Sequence, residues 1–460
     1  MSELDVAARV LDLVREATGA RGEAAVAVCR DRMALTRFAN SYIHQNVAED
    51  TTTVRLQLHC DGRTATGTTT VTDPDGLRGL VERTAAATEL SPPDKGWPGL
   101  TPPTGLAGAT GFDEATGAAG PDERARRVRS FVDAAGGLET AGYCRTQWQT
   151  VVFANSAGHT ASGEFTEASM DGIARQAGAD GVARHAATAL SDVDGTVLGT
   201  RAAAKARAGE DPVELPPDRY EVVLEPTAVG DLLRNIAVWG LNGKLHTQHR
   251  SFAALGEPQF DPSITIVDDV LDTDEVGVAF DAEGTPKRRL VMVDAGVTRA
   301  VTHDRRTALE AGAESTGHAL VGARQFGPLA LNVRLLPDGG SGAPGEVDGP
   351  AADATVAALV AGVRRGILVT DFWYTRVLDP KTLAVTGLTR NGVWLIEDGQ
   401  VTRPVRNFRF TQSYPQALGP GAVLAIGTHA APLASSWIQE RVTAPALHLA
   451  SWHFTGGASG

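Results

Sequence analysis

Residues 209–226, GEDPVELPPDRYEVVLEP, divide the chain. Pro212, Pro216 and Pro217 interrupt helix and sheet alike, because proline fixes φ and lacks an N–H. A strand restarts at once over Tyr220–Leu224. An Ala-rich helix, Leu198–Ala208, closes the part in front, and strand followed by helix, Pro226–Gly240, opens the part behind. The break predicts an α+β protein of two domains. An N-terminal α/β domain with an antiparallel sheet takes 1–211, and a strand-rich, mostly antiparallel domain takes 212–460.

Working back towards the N-terminus, Leu4, Ala7, Ala8, Leu11 and Val14 recur at helical spacing, with Ser2 as cap and Gly19 as stop. Strand-like runs follow at 24–28, 33–40, 41–47 and 51–59. In the last, Val54, Leu56 and Leu58 alternate with polar residues, as in a half-buried strand. TATGTTTV extends that sheet, and a helix covers about Asp75–Leu90. Residues 91–120, crowded with Pro, Gly and Thr, predict an extended surface connection too poor in large apolar residues to hold a core. Pro121 opens a helix that ends near Gly136, and strands follow through Trp148–Ala154 and Gly163–Met170. In the second half, short strands are predicted in SITIVDD, RRLVMVDAG, LALNVRLLP, GILVTDFWYTRVL, NGVWLIEDGQVTRPV and FRFTQSY. A Gly/Pro/Asp loop over 337–350 precedes a helix carrying Val356, Leu359, Val360 and Val363.

The 460 residues carry a formal net charge of −13 with 42% hydrophobic and 21% charged residues, the balance of a soluble globular protein. That acidity argues against a nucleic-acid partner, which needs clustered Lys and Arg. No stretch predicts a membrane span: the uncharged run Phe410–Gln439 contains Pro415, Pro420 and Pro432. Cys29, Cys60 and Cys144 offer neither a disulfide framework nor CxxC spacing. They read as small buried hydrophobes in a reduced cytosol, so a cytoplasmic location is expected.

Searches for chemistry mostly return nothing. None of the eleven histidines is followed by Glu, so neither HExxH nor HExxxH occurs. GxSxG and GxxxxGK[ST] are absent, and GGSGAPGEVDG at 339–349 reads as a flexible loop. The Arg-rich ERARRVR at 123–129 and VRR at 363–365 read as solvated helix faces. Trp239, Trp373, Trp394, Trp437 and Trp452 are core or interface candidates. His246 and His249 lie three apart, without a carboxylate or thiolate to complete a metal site. His303 and Asp304 could form an orienting pair, but THDRRTALEAG reads more simply as a helix start capped at Asp304 and stopped at Gly312.

An ordered set of segments resembles the TldD/TldE (PmbA) family, specifically its TldE-type subunit. The set comprises ALTRFANSYIHQNVAED (34–50), LPPDRYEVVLEPTAVGDLL (215–233), SFAALGEPQFDPSITIVDD (251–269), DAGVTRAVTHDRRTALEAG (294–312) and the block from Arg364 to Phe410. The resemblance implies a C-terminal domain of TldD/PmbA type and a heterodimeric metallopeptidase or amidase. In such pairs the TldD-type subunit carries a His-Glu-x-x-x-His helix and a further Cys ligand for a catalytic metal, expected to be zinc. The TldE-type subunit shares the fold and lacks the ligands. The corresponding helix here is GDLLRNIAVWGLNG, with Arg234-Asn235 in place of His-Glu and Val238-Trp239 near the second His. Arg234 is permanently cationic and Trp239 offers no lone pair to a metal.

The resemblance therefore implies no cofactor and no catalytic residue in this chain, and a TldD-like catalytic partner that holds the zinc. The chain would close a chamber over that partner's site, admitting unfolded or small peptides. By position in the resembling segments, His246, His249, His303, Asp304, Arg305, Thr389, Arg390 and Asn391 are the candidates to line the chamber or the interface. Each also has a structural reading as cap, turn or surface; Asn391-Gly392 reads as a hairpin turn. Two alternatives stay open. One is a subunit of a related pair hydrolysing an amide in natural-product metabolism; the other is a homomeric, non-enzymatic binding protein.

Overall fold

The computed structural model describes residues 2–106, 108, 110–176, 178–272, 274–322, 325–339, 349–434 and 440–457. Trp437 and most of the glycine-rich 339–349 lie outside these residues. The first half is a six-stranded antiparallel sheet in the order β3-β2-β1-β4-β5-β6. Its strands are β1 (Gly22–Ala39), β2 (Tyr42–Cys60), β3 (Arg63–Thr69), β4 (Glu139–Asn155), β5 (Thr160–Gln176) and β6 (Ala179–Ala187). The four runs expected over 24–59 are thus two continuous strands. No Gly or Pro lies between Gly22 and Gly62 to break them. The two residues between the strands, Asn40 and Ser41, both take positive φ (50° and 63°), the conformation of a tight hairpin turn.

Helices cover one face of this sheet at its two ends. α1 (Glu3–Thr18) starts on a Ser2–Asp5 capping box and stops at Gly19, and α2 (Pro74–Leu90) is capped by Asp73. They bury Ala24, Val26, Val28, Val54, Leu56 and Leu58. A four-residue helix, α3 (Glu114–Gly117), precedes α4 (Pro121–Ala134) and α5 (Gly195–Ala208). Around Phe131 of α4, Phe38, Cys144, Met170 and Ala174 form a second core. The expectation that 123–129 is a solvated face fails at Arg124, which is buried and donates to the Ala119 carbonyl (2.9 Å) and Thr146 Oγ1 (3.1 Å). Burial pushes the Cys29 and Cys144 thiols up to about 12, with Asp31 adding to the effect at Cys29. Both thiols are therefore inert at neutral pH.

The second half is built on an 11-stranded sheet. It comprises β7 (Arg219–Leu224), β8 (Ile266–Asp268), β9 (Leu290–Asp294), β10 (Val297–Thr298), β11 (Asn332–Leu335), β12 (Arg365–Asp379), β13 (Ala384–Glu397), β14 (Gln400–Pro404), β15 (Phe408–Ser413), β16 (Val423–Ala434) and β17 (Arg441–Gly457). Pairing is antiparallel except β11 with β17 and β12 with β7. The core packs α6 (Pro226–Asn235) against this sheet, with Trp452 stacked on Phe372 at 5.0 Å. Two short helices, α7 (Gly243–Thr247) and α8 (Arg305–Ala311), flank it, and α9 (Ala354–Ala361) covers a smaller core with Trp394.

Two sequence expectations are corrected in and around this half. Asn391 and Gly392 form no hairpin turn: they lie inside β13, where the register against β12 shifts between Val369 and Asp371. Their positive φ values (60° and 134°) belong to a β-bulge, which needs the same backbone as a turn. Residues 91–120, expected to run over the surface, instead tie the halves together. Arg306 pairs with Asp94 at 2.9 Å, Arg305 donates to the carbonyls of Pro98 (3.0 Å) and Leu100 (3.1 Å), and the Thr101 hydroxyl donates to the Glu283 carbonyl at 2.7 Å.

Charged groups also cross the junction directly. Lys205 of α5 meets Glu225, just ahead of α6, at 2.5 Å, and each residue is 2% exposed. Arg184 of β6 meets Asp371 of β12 at 2.7 Å. Arg441 of β17, fully buried, reaches Glu167 of β5 at 3.4 Å. Burial lowers the Lys205 pKa and raises that of Glu225, against the attraction between them. Removing one partner strands the other charge, so Lys205→Ala should cost about 3–5 kcal/mol, whereas Lys205→Met with Glu225→Leu should recover most of that loss. Urea midpoints of the three proteins measure this; a double variant no more stable than Lys205→Ala would contradict it.

Candidate functional site

α6 begins with Pro226 at its first turn, where the missing N–H costs nothing, and buries Ala228, Val229, Leu232 and Leu233. That leaves Asp231, Arg234 and Asn235 on the opposite side. The helix then widens into a π turn over Ile236–Gly240, with the Leu241 N–H donating to the Ile236 carbonyl at 2.8 Å. An α-helix would place residues five apart about 140° from one another. The wider turn brings position 239 back towards the side that carries Arg234, and π turns of this kind are frequent at functional sites. Phe252 packs so tightly on Gly240 that a Cβ there would lie 2.1 Å from the ring.

The side chains on this face are all engaged. Asp231 Oδ2 accepts from the Tyr414 hydroxyl at 2.9 Å and from Asn235 Nδ2 at 3.3 Å, while Oδ1 accepts from Thr375 Oγ1 at 2.8 Å. Asn235 also donates to the Asp231 carbonyl at 2.9 Å. Burial raises the Asp231 carboxyl despite those donors, and burial beside Asp231 raises the Tyr414 phenol. Arg234 Nε donates to Glu440, itself almost fully buried. Trp239 packs partly buried against the core.

This donor set does not fit a zinc ion. Arg234 is a cation, Trp239 has no lone pair, and the Asp231 carboxylate is committed to two hydroxyls and an amide. Among the described residues no three of His, Cys, Asp and Glu lie together as a metal would require.

The eight candidates for the chamber fall into two groups, with no hydrogen bond or ion pair between them among the described residues. His246 lies in α7 and His303 just ahead of α8, packed so closely that a Cβ on Gly243 would meet the His303 ring at 2.6 Å. Burial lowers the His303 pKa, Asp304 opposes that, and His246 is near enough to add to it. Asp304 is the N-cap of α8, accepting from the Thr307 N–H at 2.7 Å, and Gly312 ends the helix in the left-handed conformation, as the sequence predicts. His249 is exposed at a turn with φ 54°. Arg305 spends its guanidinium on residues 98–100.

In the second group, Thr389 is buried and accepts from the Phe408 N–H at 2.9 Å. Arg390 lies over the exposed Trp373 ring at 4.7 Å. Asn391 donates to Asp371 at 3.0 Å, supporting the Arg184 ion pair.

Several charged residues beside the first group were not singled out in sequence. His318, fully buried, joins Thr316 Oγ1 (2.9 Å) to Asp268 Oδ2 (3.0 Å). Burial opposes ionisation of Asp268, yet His318, Lys287 and the Asn332 N–H hold it well below the usual carboxylate range. Glu283 accepts from the Arg305 N–H at 2.9 Å. The one signal legible beforehand is Asp231–Asn235, whose spacing of four puts both on one helical face.

The family profile described as the PmbA/TldA metallopeptidase C-terminal domain matches residues 217–456. Among solved structures, TldE from Thermococcus kodakarensis superposes with a TM-score of 0.84 at 17% identity, over 98% of this chain and 100% of that one. A candidate modulator of DNA gyrase from Thermotoga maritima gives 0.81 at 17% identity, over 99% of this chain and 100% of its own. A similarly described protein from Bacteroides thetaiotaomicron gives 0.80 at 18%, over 98% of each chain. At these identities the likeness concerns the fold. No curated protein matches the chain.

The group around Arg305 carries a pH dependence. Burial, reinforced by the Asp281 carboxylate, pushes Glu283 up to about 8 from an ordinary value of 4.5. A raised carboxyl favours the folded chain while protonated. Its contribution is complete below pH 4.5 and is lost as the pH rises through 8. Glu283→Gln should therefore melt close to wild type in the acid range and about 2 °C or more above it at alkaline pH. Parallel melting curves across that range would refute the assignment.

Proposed function

This chain belongs to the PmbA/TldD metallopeptidase family, and from that premise we propose that it is a TldE-like, non-catalytic subunit. Its partner is a TldD-like chain that carries the metal, and the two form a cytoplasmic heterodimer cleaving unfolded or small peptides. The observation that carries this reading is the pair Arg234 and Trp239. Where the resemblance would put the His-Glu and the second His, this helix and its π turn carry a cation and an indole, neither of which can ligate a metal.

Arg234 is fixed there by Glu440, so the cation is built in and does not swing aside to admit a metal. Asn235 stands where the general base would be, and an amide cannot accept a proton from water at neutral pH. What the chain contributes is a rigid wall. The Asp231–Tyr414–Thr375 network ties α6 to β12 and to the residues following β15. Next to it, Trp373 and Tyr374 stand exposed on β12 beneath Arg390 and Arg376, offering flat, low-entropy contact area to a partner or a peptide.

Reconstitution tests the reading. The chain alone should retain no stoichiometric zinc and cleave no reduced, carboxymethylated casein, while mixing with a TldD-like subunit should yield a complex with bound zinc and turnover. Stoichiometric zinc together with cleavage by the isolated chain would overturn the proposal. If the pair ignores casein and hydrolyses N-acyl metabolites, the subunit role survives and the peptide substrate does not.

A further inference from the structure

β2 has an outer edge that only part of the protein uses. β3 pairs with it from Val54 to Cys60 and stops there. From Tyr42 to Thr53 that edge has no backbone partner among the described residues. The inner edge is paired with β1 without a break from Gln45 to Thr53, so the strand is held extended there over about 30 Å at ~3.4 Å per residue. Alternate residues must point their N–H and C=O outward. Folded proteins commonly guard such an edge with Lys, Pro or a bulge. The register shift opposite Arg37/Phe38 leaves His44 of β2 bulged near the hairpin tip, and beyond it Gln45–Thr53 contains neither Lys nor Pro nor a further shift.

A cleft opens on the sheet face beside this edge. The helix layer thins here: α1 and α2 cover the sheet around Val26 and Leu56, α4 covers it around Phe38, and the rows between them line a recess beside α3. By register, Arg32 faces Asp50 and Trp148, and Ala34 faces Ala48 and Thr146. All six side chains therefore share one face, and they line a cleft of about 250 Å³. α3 forms its wall, with Gly117 so close to Trp148 that a Cβ would lie 2.8 Å from the indole. Arg32 lies over the Trp148 ring at 4.0 Å. The alanine pair, Ala48 on the edge strand and Ala34 behind it, leaves a low path from the edge into the cleft.

We propose that the Gln45–Thr53 edge binds an extended peptide as an added antiparallel strand, with one long apolar or aromatic side chain crossing Ala48 into the cleft. The edge supplies sequence-independent main-chain hydrogen bonds and the cleft supplies the preference, the division of labour expected of strand addition. A residue placed opposite Ala48 directs its side chain to the same face as Ala48, the face on which the cleft opens. A single strand explains the cleft better than a second folded sheet does, because sheet-to-sheet continuation would use the edge and leave the recess empty. The proposal is independent of the non-catalytic reading. Zinc content and turnover leave it untouched.

The test uses the purified chain and a short fluorescein-labelled peptide of alternating Thr and Val with charged ends and one central Phe, read by anisotropy. Saturable binding in the micromolar range is expected. N-methylation of alternate peptide amides should weaken it at least ~10-fold, because it removes the strand-pairing donors and keeps the side chains. Replacing the central Phe by Ala should weaken it too. Ala48→Trp should abolish that Phe preference while retaining the Ala peptide. Equal affinity for methylated and unmethylated peptides, no binding at all, or an Ala48→Trp protein that still prefers Phe would each overturn the proposal. So would a TldD-like partner that blocks the peptide when added first, since the edge would then be a subunit interface.

Discussion

The ionic contacts buried between the two halves fix where everything else sits. Lys205 and Glu225 are both taken out of water, at a cost that their attraction only partly repays. Such a pair adds little net stability, but it tolerates almost no displacement. Glu225 immediately precedes Pro226, so holding its carboxylate against α5 fixes the residue from which α6 starts. The position of Arg234, Asn235 and the π turn thus traces back to a lysine in the other half. Arg184–Asp371 and Arg441–Glu167 repeat the arrangement along the same junction, each taking one partner from either sheet.

Local signals were legible wherever the physics is local. The Ser2 cap, the Gly19 stop, the Asp304 cap and the Gly312 terminus depend on residues within one turn of each other, and all were readable. The strand that restarts after Pro217 was readable for the same reason, since proline acts on its own backbone. What escaped depends on distant partners. The polar middle of β1 and β2 reads as an interruption because the partners that pair across it, such as Arg30 with Asp50, lie 20 residues apart in sequence. Asn391-Gly392 has the composition of a hairpin turn because turn and bulge demand the same left-handed backbone. Only the strand alongside decides between them.

The candidate site is a different case. Arg234, Asn235 and Trp239 came from resemblance to a family helix, and the π turn that follows this helix could not be read from a one-dimensional count of positions. The network behind them was hidden: Asp231 and Tyr414 are 183 residues apart, and Arg234 and Glu440 are 206. Of the eight candidates for the chamber wall, Asp304, Arg305 and Asn391 are occupied in capping, tethering and supporting an ion pair. A polar residue within a resembling segment is as often holding the scaffold as facing a ligand.

Arg305 grips the carbonyl oxygens of Pro98 and Leu100, which every amino acid would present in the same place. At these two positions only the path of the segment is read, whereas Asp94 and Thr101 are held through their side chains. The Pro-, Gly- and Thr-rich character of this stretch, which in isolation signals a dispensable connection, is compatible with an attachment gripped largely through its main chain and pinned by two side chains.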